Sequence, residues 1–231
     1  MMINSGSDVA MTSILTLFVE AALTAARNQA GGANGIFSAN NEASRGITGL
    51  QTFLSFNAAD NTAPTTGTVG NLDRSTRTYW RNRVVNVSSD FSVNGYDGMI
   101  DAYTQCQRGD EVSDVIAFNR ASYFNYIRNG INNQRFVTPL TSQENILNIG
   151  FSNVTFLNAL IGPDDGVPAN RGYMLTSKYV HWMVHAMREF ELGPVAFTPT
   201  LDALSGWLFF GGNLGFSAMT PHALLLNTDT N

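Results

Sequence analysis

The sequence holds one cysteine, Cys106, and one lysine, Lys178, in 231 residues. A single thiol excludes an intramolecular disulfide, and the lack of any Cys-x-x-Cys pair excludes the common structural zinc and dithiol redox arrangements. Charged residues of both signs make up only 13% of the chain, about half the usual share. A monomer ordinarily keeps itself soluble with a mixed charged surface. Here Asn, Ser, Thr and Gln must supply most of the polar surface. Lys and Glu are depleted at protein–protein interfaces because they are costly to desolvate and pin. The deficit therefore fits a subunit covered by neighbours, although a general compositional bias accounts for it equally well. Positive charge is the scarcer sign, with 13 Lys and Arg against 18 Asp and Glu and a net charge of −5. That balance argues against a nucleic-acid-binding domain, which would present a basic face.

The chain also lacks an uninterrupted apolar run. Val9 to Ala26 is the most apolar stretch, but nothing basic precedes Asp8 and Glu20 interrupts it. A secretory signal opens with a positive segment, and a membrane span needs about 20 mostly apolar residues. The expectation is a soluble protein without a targeting segment.

What is present is enough for a core. Hydrophobic residues make up 44% of the chain, and a globule of its mass buries roughly 70% of its unfolded surface. Asp8 to Asn28 reads as one long helix: Met11, Ile14, Leu15, Phe18, Ala22 and Ala25 recur at helical spacing. Ser7 or Asp8 caps it, and Gly31-Gly32 end it. Ile47 to Phe56 reads as a strand and Ala58 to Thr68 as a loop. Asp97 to Arg108 reads as a helix that buries Met99, Ile100, Tyr103 and Cys106, and Val112 to Phe118 as a short strand whose Val-Ile-Ala-Phe core is buried on both faces. Arg120 to Asn129 reads as a further helix. Ile149 to Leu160, Arg171 to Ser177, Leu204 to Phe210 and Ala223 to Asn227 read as strands. Lys178 to Arg188 fits either period. The pattern is mixed α+β, too irregular for a doubly wound sheet.

Candidate chemistry is sparse. His181 and His185 have the spacing of two helical metal ligands, but Trp182 stands where the zinc-protease motif needs Glu. Packed or surface histidines fit better. Asp164-Asp165 sits in a Gly/Pro-rich turn, and Asp is itself a turn former. Cys106 reads as a buried structural thiol. Asn86-Val87-Ser88 and Asn153-Val154-Thr155 match the glycosylation pattern, which arises by chance in an Asn-rich chain. No nucleophile–base pair, phosphate loop or dinucleotide fingerprint is present, so neither catalysis nor a cofactor is expected. Arg74, Arg77, Tyr79, Trp80 and Arg81 form the one basic-aromatic cluster. Such residues bind nucleic acid by stacking and phosphate contact, or dominate protein interfaces. In an acidic chain the inter-subunit interface is the favoured reading.

The run from Thr66 to Thr76, with its Gly-Asn-Leu-Asp-Arg-Ser core, followed by Tyr79-Trp80-Arg81-Asn82, resembles a phrase of the major capsid proteins of tailed bacteriophages. Tyr96 to Arg108, Asp114 to Asn119, Gln134-Arg135-Phe136, Gly172-Tyr173-Met174-Leu175 with Tyr179, and Gly212-Asn213-Leu214 match in the same order. The resemblance implies the Hong Kong 97-type coat fold, with a spine-helix peripheral domain and an axial domain. It places the peripheral domain at residues 1–60 with a return at 188–220, and the axial domain at 61–187 with its C-terminal strand at 221–231. It leaves the N-terminal arm and extended loop of that family absent, since Met1-Met2 stand almost directly on the helix. Lys178 lies outside any extended loop, so Lys–Asn crosslinking between subunits is not expected. The resemblance implies self-assembly into hexamers and pentamers of an icosahedral virion shell, built in the host bacterial cytoplasm. Portal, scaffolding and decoration proteins would be its partners, with double-stranded DNA enclosed but not read by sequence, and no membrane. The same fold would also serve an encapsulin-like nanocompartment around a cargo enzyme.

Overall fold

The computed structural model describes residues 35–39, 46–87, 90–133, 155–189, 191–194, 196–198, 203–205 and 207–229. The long helix expected over Asp8–Asn28 and the Gln134-Arg135-Phe136 phrase lie outside these residues. By contacts the chain divides into two compact units, Met1–Gly49 with Trp182–Leu214 and Leu50–His181 with Gly215–Asn231. The expected boundaries at 60, 187 and 220 each lie further along the chain than these.

The elements run α1 (Leu50–Phe53), β1 (Thr68–Val69), β2 (Leu72–Asp73), a 3-10 turn (Thr78–Trp80), β3 (Arg83–Asn86), α2 (Phe91–Cys106), β4 (Val115–Phe118) and α3 (Arg120–Asn133). After these come β5 (Thr155–Phe156), β6 (Ala159–Pro163), β7 (Arg171–Leu175), a second 3-10 turn (Ser177–Tyr179) and β8 (Val180–Val184). The chain ends its described part with β9 (Glu191–Leu192), β10 (Ala196–Thr198), β11 (Ala203–Ser205), β12 (Leu208–Phe209), β13 (Gly212–Phe216) and β14 (Ala223–Leu226).

The larger unit is built on a six-stranded sheet of order β3-β14-β7-β4-β6-β5. β14 lies parallel to β3 and antiparallel to β7, with Leu224 opposite both Val84 and Tyr173. β4 pairs antiparallel with β7, Ile116 facing Met174, and parallel with β6. β14 reads Ala-Leu-Leu-Leu and is buried along its whole length, as a strand flanked on both sides should be.

One face of this sheet is roofed by the two long helices, α2 over β3 and β14 and α3 over β4 and β6. The core between them joins Val85, Ile116, Phe118, Ile161, Met174 and Leu225 of the sheet to Phe91, Met99, Tyr103, Cys106 and Tyr126 of the helices. The residues of α2 in this core recur at helical spacing, which turns one stripe of the helix onto the sheet. Aromatic edges complete it: Phe91 meets Phe118 at 6.2 Å and 87°, and Tyr103 meets Phe156 at 6.3 Å and 82°. Gly172 in β7 is a close approach, since a Cβ there would stand 2.3 Å from the Phe118 ring.

In the smaller unit β10 pairs with β11 and β9 with β12, both antiparallel. Asn213 ties its chain segments together, accepting from the Thr48 N–H at 2.8 Å and donating to the Thr48 hydroxyl at 3.2 Å.

Five expectations are corrected. Ile149 to Leu160 is not one strand, because the chain turns at Leu157 and Phe156 of β5 pairs back with Ala159 of β6. Ile100 is 47% exposed rather than buried, since it lies about 100° round the helix from the buried Met99. Ile47 to Phe56 is not a strand, because Leu50–Phe53 is helical. Leu50, Phe53 and Leu54 are all buried, so their three- and four-residue spacing prevailed over the β-like composition. Leu204 to Phe210 is not one strand but parts of β11 and β12, which pair with different partners. Val112 to Phe118 is not buried on both faces throughout, as Val115 is 37% exposed. The ambiguous Lys178–Arg188 resolves into the second 3-10 turn running into β8.

Candidate interface segment

The basic-aromatic segment begins with a tight hairpin. β1 and β2 pair Val69 with Leu72, and Gly70 and Asn71 between them both adopt left-handed backbone, φ 57° and 61°. Two left-handed residues make the mirror-image turn that matches strand twist, which is why Gly-Asn stands there. Asp73 then accepts from the Ser75 N–H at 2.8 Å and the Ser75 hydroxyl at 2.6 Å. The Ser75 bonds, with Arg81 nearby, hold this carboxyl below its usual range.

Arg74 is 2% exposed. Its guanidinium donates to the Ser55 hydroxyl at 2.5 Å and to the Phe53 carbonyl. No carboxylate is among these partners, and burial pushes its pKa downward. The cluster continues with Asn82, fully buried, whose side-chain amide donates to the Ser55 carbonyl at 3.0 Å and the Arg83 carbonyl at 3.1 Å. Trp80 is buried and donates from Nε1 to the Val69 carbonyl at 3.0 Å. Arg81 reaches back along the segment, with Nε on the Arg74 carbonyl at 2.7 Å and Nη2 within 3.3 Å of the Thr65 and Ser75 carbonyls.

The five residues singled out in the sequence therefore divide. Arg74 and Trp80 are internal braces, and Arg81 is half-buried and committed to backbone carbonyls. Arg77 and Tyr79 face outward, Tyr79 at 56% exposure, with Arg77 donating to the Tyr79 hydroxyl at 3.3 Å. Two functional neighbours escaped sequence reasoning. Ser55 receives both Arg74 and Asn82, yet nothing in its sequence neighbourhood marks it. Thr220, which donates to the Tyr79 carbonyl at 2.8 Å, lies 141 positions away.

A second polar group stands where β4 and the second 3-10 turn meet. Lys178 forms an ion pair with Glu111, and the other carboxylate oxygen takes the Tyr179 hydroxyl. The Lys178 and Tyr179 bonds hold Glu111 below its usual range, and Glu111 in turn raises both partners. Asp114 accepts from the Ser177 N–H at 2.8 Å and from its hydroxyl.

His181 lies on β8 rather than a helix and meets the Ser217 hydroxyl at 2.9 Å. Asp164 makes the turn expected of it, accepting from the Gly166 N–H at 2.7 Å. Cys106 is fully buried, and burial pushes its thiol up to about 12. Among the described residues no group of three or more His, Cys, Asp or Glu is placed to hold a metal. No described helix is long and apolar enough to cross a membrane.

No protein-family model and no curated protein sequence matches the chain. Solved structures do. The capsid asymmetric unit of cyanophage A-1(L) superposes with a TM-score of 0.63 at 14% identity, over 94% of this chain and 69% of that one. The holo-SrpI encapsulin complex of Synechococcus elongatus PCC 7942 gives 0.51 at 13% identity, over 98% and 68%. The fold is therefore the Hong Kong 97-type capsid fold, a mixed α+β chain with a sheet at its core. Both structures of this fold are shells, one of a phage and one of an encapsulin.

Proposed function

We propose that this chain is the coat subunit of a tailed bacteriophage, assembling into the hexamers and pentamers of an icosahedral shell around double-stranded DNA. The observation that carries the reading is the likeness to a cyanophage capsid over 94% of the chain. The encapsulin shares the fold, so a nanocompartment shell is the second reading. On this reading the six-stranded unit is the axial domain and the other unit the peripheral one. The function is mechanical: heterologous contacts close into rings, and obligate interfaces of roughly 2,000 Å² or more hold the shell. Arg77 and Tyr79 supply an exposed arginine and aromatic to a neighbouring subunit, held in place by the braced Arg74, Trp80 and Arg81. A wall short of positive charge lets DNA slide past it. Portal, scaffolding and decoration proteins are the partners this role requires.

Electron microscopy of particles purified from cells expressing the chain tests the proposal. Closed icosahedral shells that protect nuclease-resistant DNA, when made with the packaging genes, are the expected outcome. Shells that instead retain one co-purified enzyme would assign the chain to a nanocompartment. A strictly monomeric product at high concentration would overturn both readings.

A further inference from the structure

The two helices that roof the sheet carry charges of opposite sign on their outer faces. α2 has no basic residue and α3 has no acidic one. Asp97 and Asp101 are exposed on α2 beside Val93, 71% exposed, and Ile100, 47% exposed. On a helix these four fall within one stripe of about 100°, opposite the buried Met99, Ala102 and Cys106. On α3 the exposed stripe is Arg120, Phe124 and Arg128, each one turn from the next, with Phe124 63% exposed. Among the described residues none of these four charges has an ion-pair partner. In a chain with so few charges, two carboxylates on one helix, Asp101 accepting the Gln105 amide at 2.9 Å but meeting no cation, and two guanidiniums on the other form a complementary pair of surfaces. Each surrounds a large exposed apolar group, the composition of an interface centre with a polar rim.

The two stripes cannot satisfy each other within one copy. They sit on separate helices that pack side by side, joined at the Tyr96–Tyr126 contact of 5.4 Å, and both turn away from the sheet. We propose that the α2 stripe of one copy docks on the α3 stripe of a second copy, head to tail. Phe124 enters between Val93 and Ile100, about two helical turns apart, while Arg120 and Arg128 reach Asp97 and Asp101. α2 lies over the β3 end of the sheet and α3 over β4 and β6. Every copy thus presents an acidic stripe and, displaced from it, a basic one. Such a heterologous contact repeats around a ring. The inference rests on the coat-subunit reading and adds to it a contact within the capsomer.

The test uses the full chain and three variants: Asp97→Arg with Asp101→Arg, Arg120→Asp with Arg128→Asp, and all four together. All four positions are exposed, so circular dichroism and melting should match the wild type. Sedimentation and negative-stain microscopy then give the assembled fraction at fixed concentration. Each paired reversal is expected to lower it by about tenfold or more, and the fourfold variant to recover most of it, since like charges oppose and restored opposites attract. Wild-type assembly that survives both reversals would overturn this contact and leave the coat reading standing. A wild type that never assembles would overturn both, and folded reversals that the fourfold variant fails to rescue would overturn the complementarity. Val93→Cys with Phe124→Cys adds a geometric readout, because buried Cys106 stays silent. Oxidation should give a ladder of covalent multimers, whereas covalent dimers alone would overturn the head-to-tail arrangement.

Discussion

Asp229 takes the side-chain amide of Asn119 onto its carboxylate at 2.7 Å. Asn119 stands just before α3, and its own Oδ1 accepts from the Ser122 N–H at 2.7 Å, capping the helix. The same carboxylate accepts from the Ser122 hydroxyl and from the Asn170 N–H at 2.6 Å. One residue near the C-terminus thus orients the cap of a helix over a hundred residues upstream. Asp229→Ala leaves those donors short of an acceptor, and is expected to cost about 1–3 kcal/mol. Asn119→Ala removes the cap itself for about 1 kcal/mol. Urea titration of the two single variants and the double should show costs that do not add, because the residues act through one another.

Arg74 and Arg77 are three positions apart and are expected to behave oppositely. Arg74→Ala leaves the Phe53 carbonyl and Ser55 hydroxyl unmatched in a buried site, with a cavity beside them. A loss of about 3 kcal/mol or more follows, read as poor soluble yield and a much lower melting temperature. Arg74→Lys recovers only part, since an ammonium lacks the fork that spans both acceptors. Arg77→Ala should change stability by no more than about 0.5 kcal/mol, while the assembled fraction falls. An Arg77→Ala chain that melts early would place that side chain among the internal braces instead.

His222 is fully buried and accepts from the Thr176 N–H at 3.2 Å on Nδ1. Phe216 meets its ring edge-on at 5.0 Å and 87°. Burial lowers its pKa to about 4, against smaller upward pulls from the Ala218 backbone and Asp114. The unfolded chain, with an ordinary imidazole, binds a proton first as pH falls. The stability that depends on neutral His222 is therefore whole above about pH 6.5 and drains away down to about pH 4. His222→Asn offers Thr176 an acceptor that does not titrate in that window. Melting temperatures between pH 7.5 and 4.5 should fall less steeply in this variant, and parallel curves would remove His222 from the account.

Gly172 is required by its neighbour rather than by its backbone angle. A Cβ would meet the Phe118 ring at 2.3 and 2.6 Å, and Phe118 is fully buried. Gly172→Ala is expected to destabilise by about 1–3 kcal/mol through overpacking. Pairing it with Phe118→Leu should return part of that loss in a chemical denaturation series.

The long periodic or β-rich runs of the larger unit were legible in the sequence. α2, α3, β7 and β14 fall where apolar spacing puts them, because burial against one sheet leaves one stripe or one face to specify. The boundaries of α2 were less legible: it starts at Phe91, before the expected Asp97, since Ser and Asn at 92 and 94 carry no helical preference. Leu50–Phe53 was misread because a single helical turn and a short strand bury the same kinds of residue. The resemblance led to the fold, and the cluster at 74–81 was found as a cluster. Its division into braces and exposed groups was not legible. That depends on Ser55, Phe53 and Val69, which are brought there only by the fold. The opposite charges of α2 and α3 were in the sequence throughout, but their sharing one roof was not.

The central place of β14 has a kinetic side. Its partner β3 is about 140 residues away in the chain, while β4, α3, β6 and β7 are comparatively close neighbours along it. Loop closure over that span comes late, and sheets that depend on distant pairings fold slowly. Until Ala223–Leu226 slot in, β7 and β3 each present an unpaired edge of the kind that recruits another chain. A newly made molecule is thus exposed to a rival strand from its neighbour during the interval before its own arrives. The speed of that insertion then sets how many copies complete the six-stranded sheet and how many are lost to swapped or aggregated pairs.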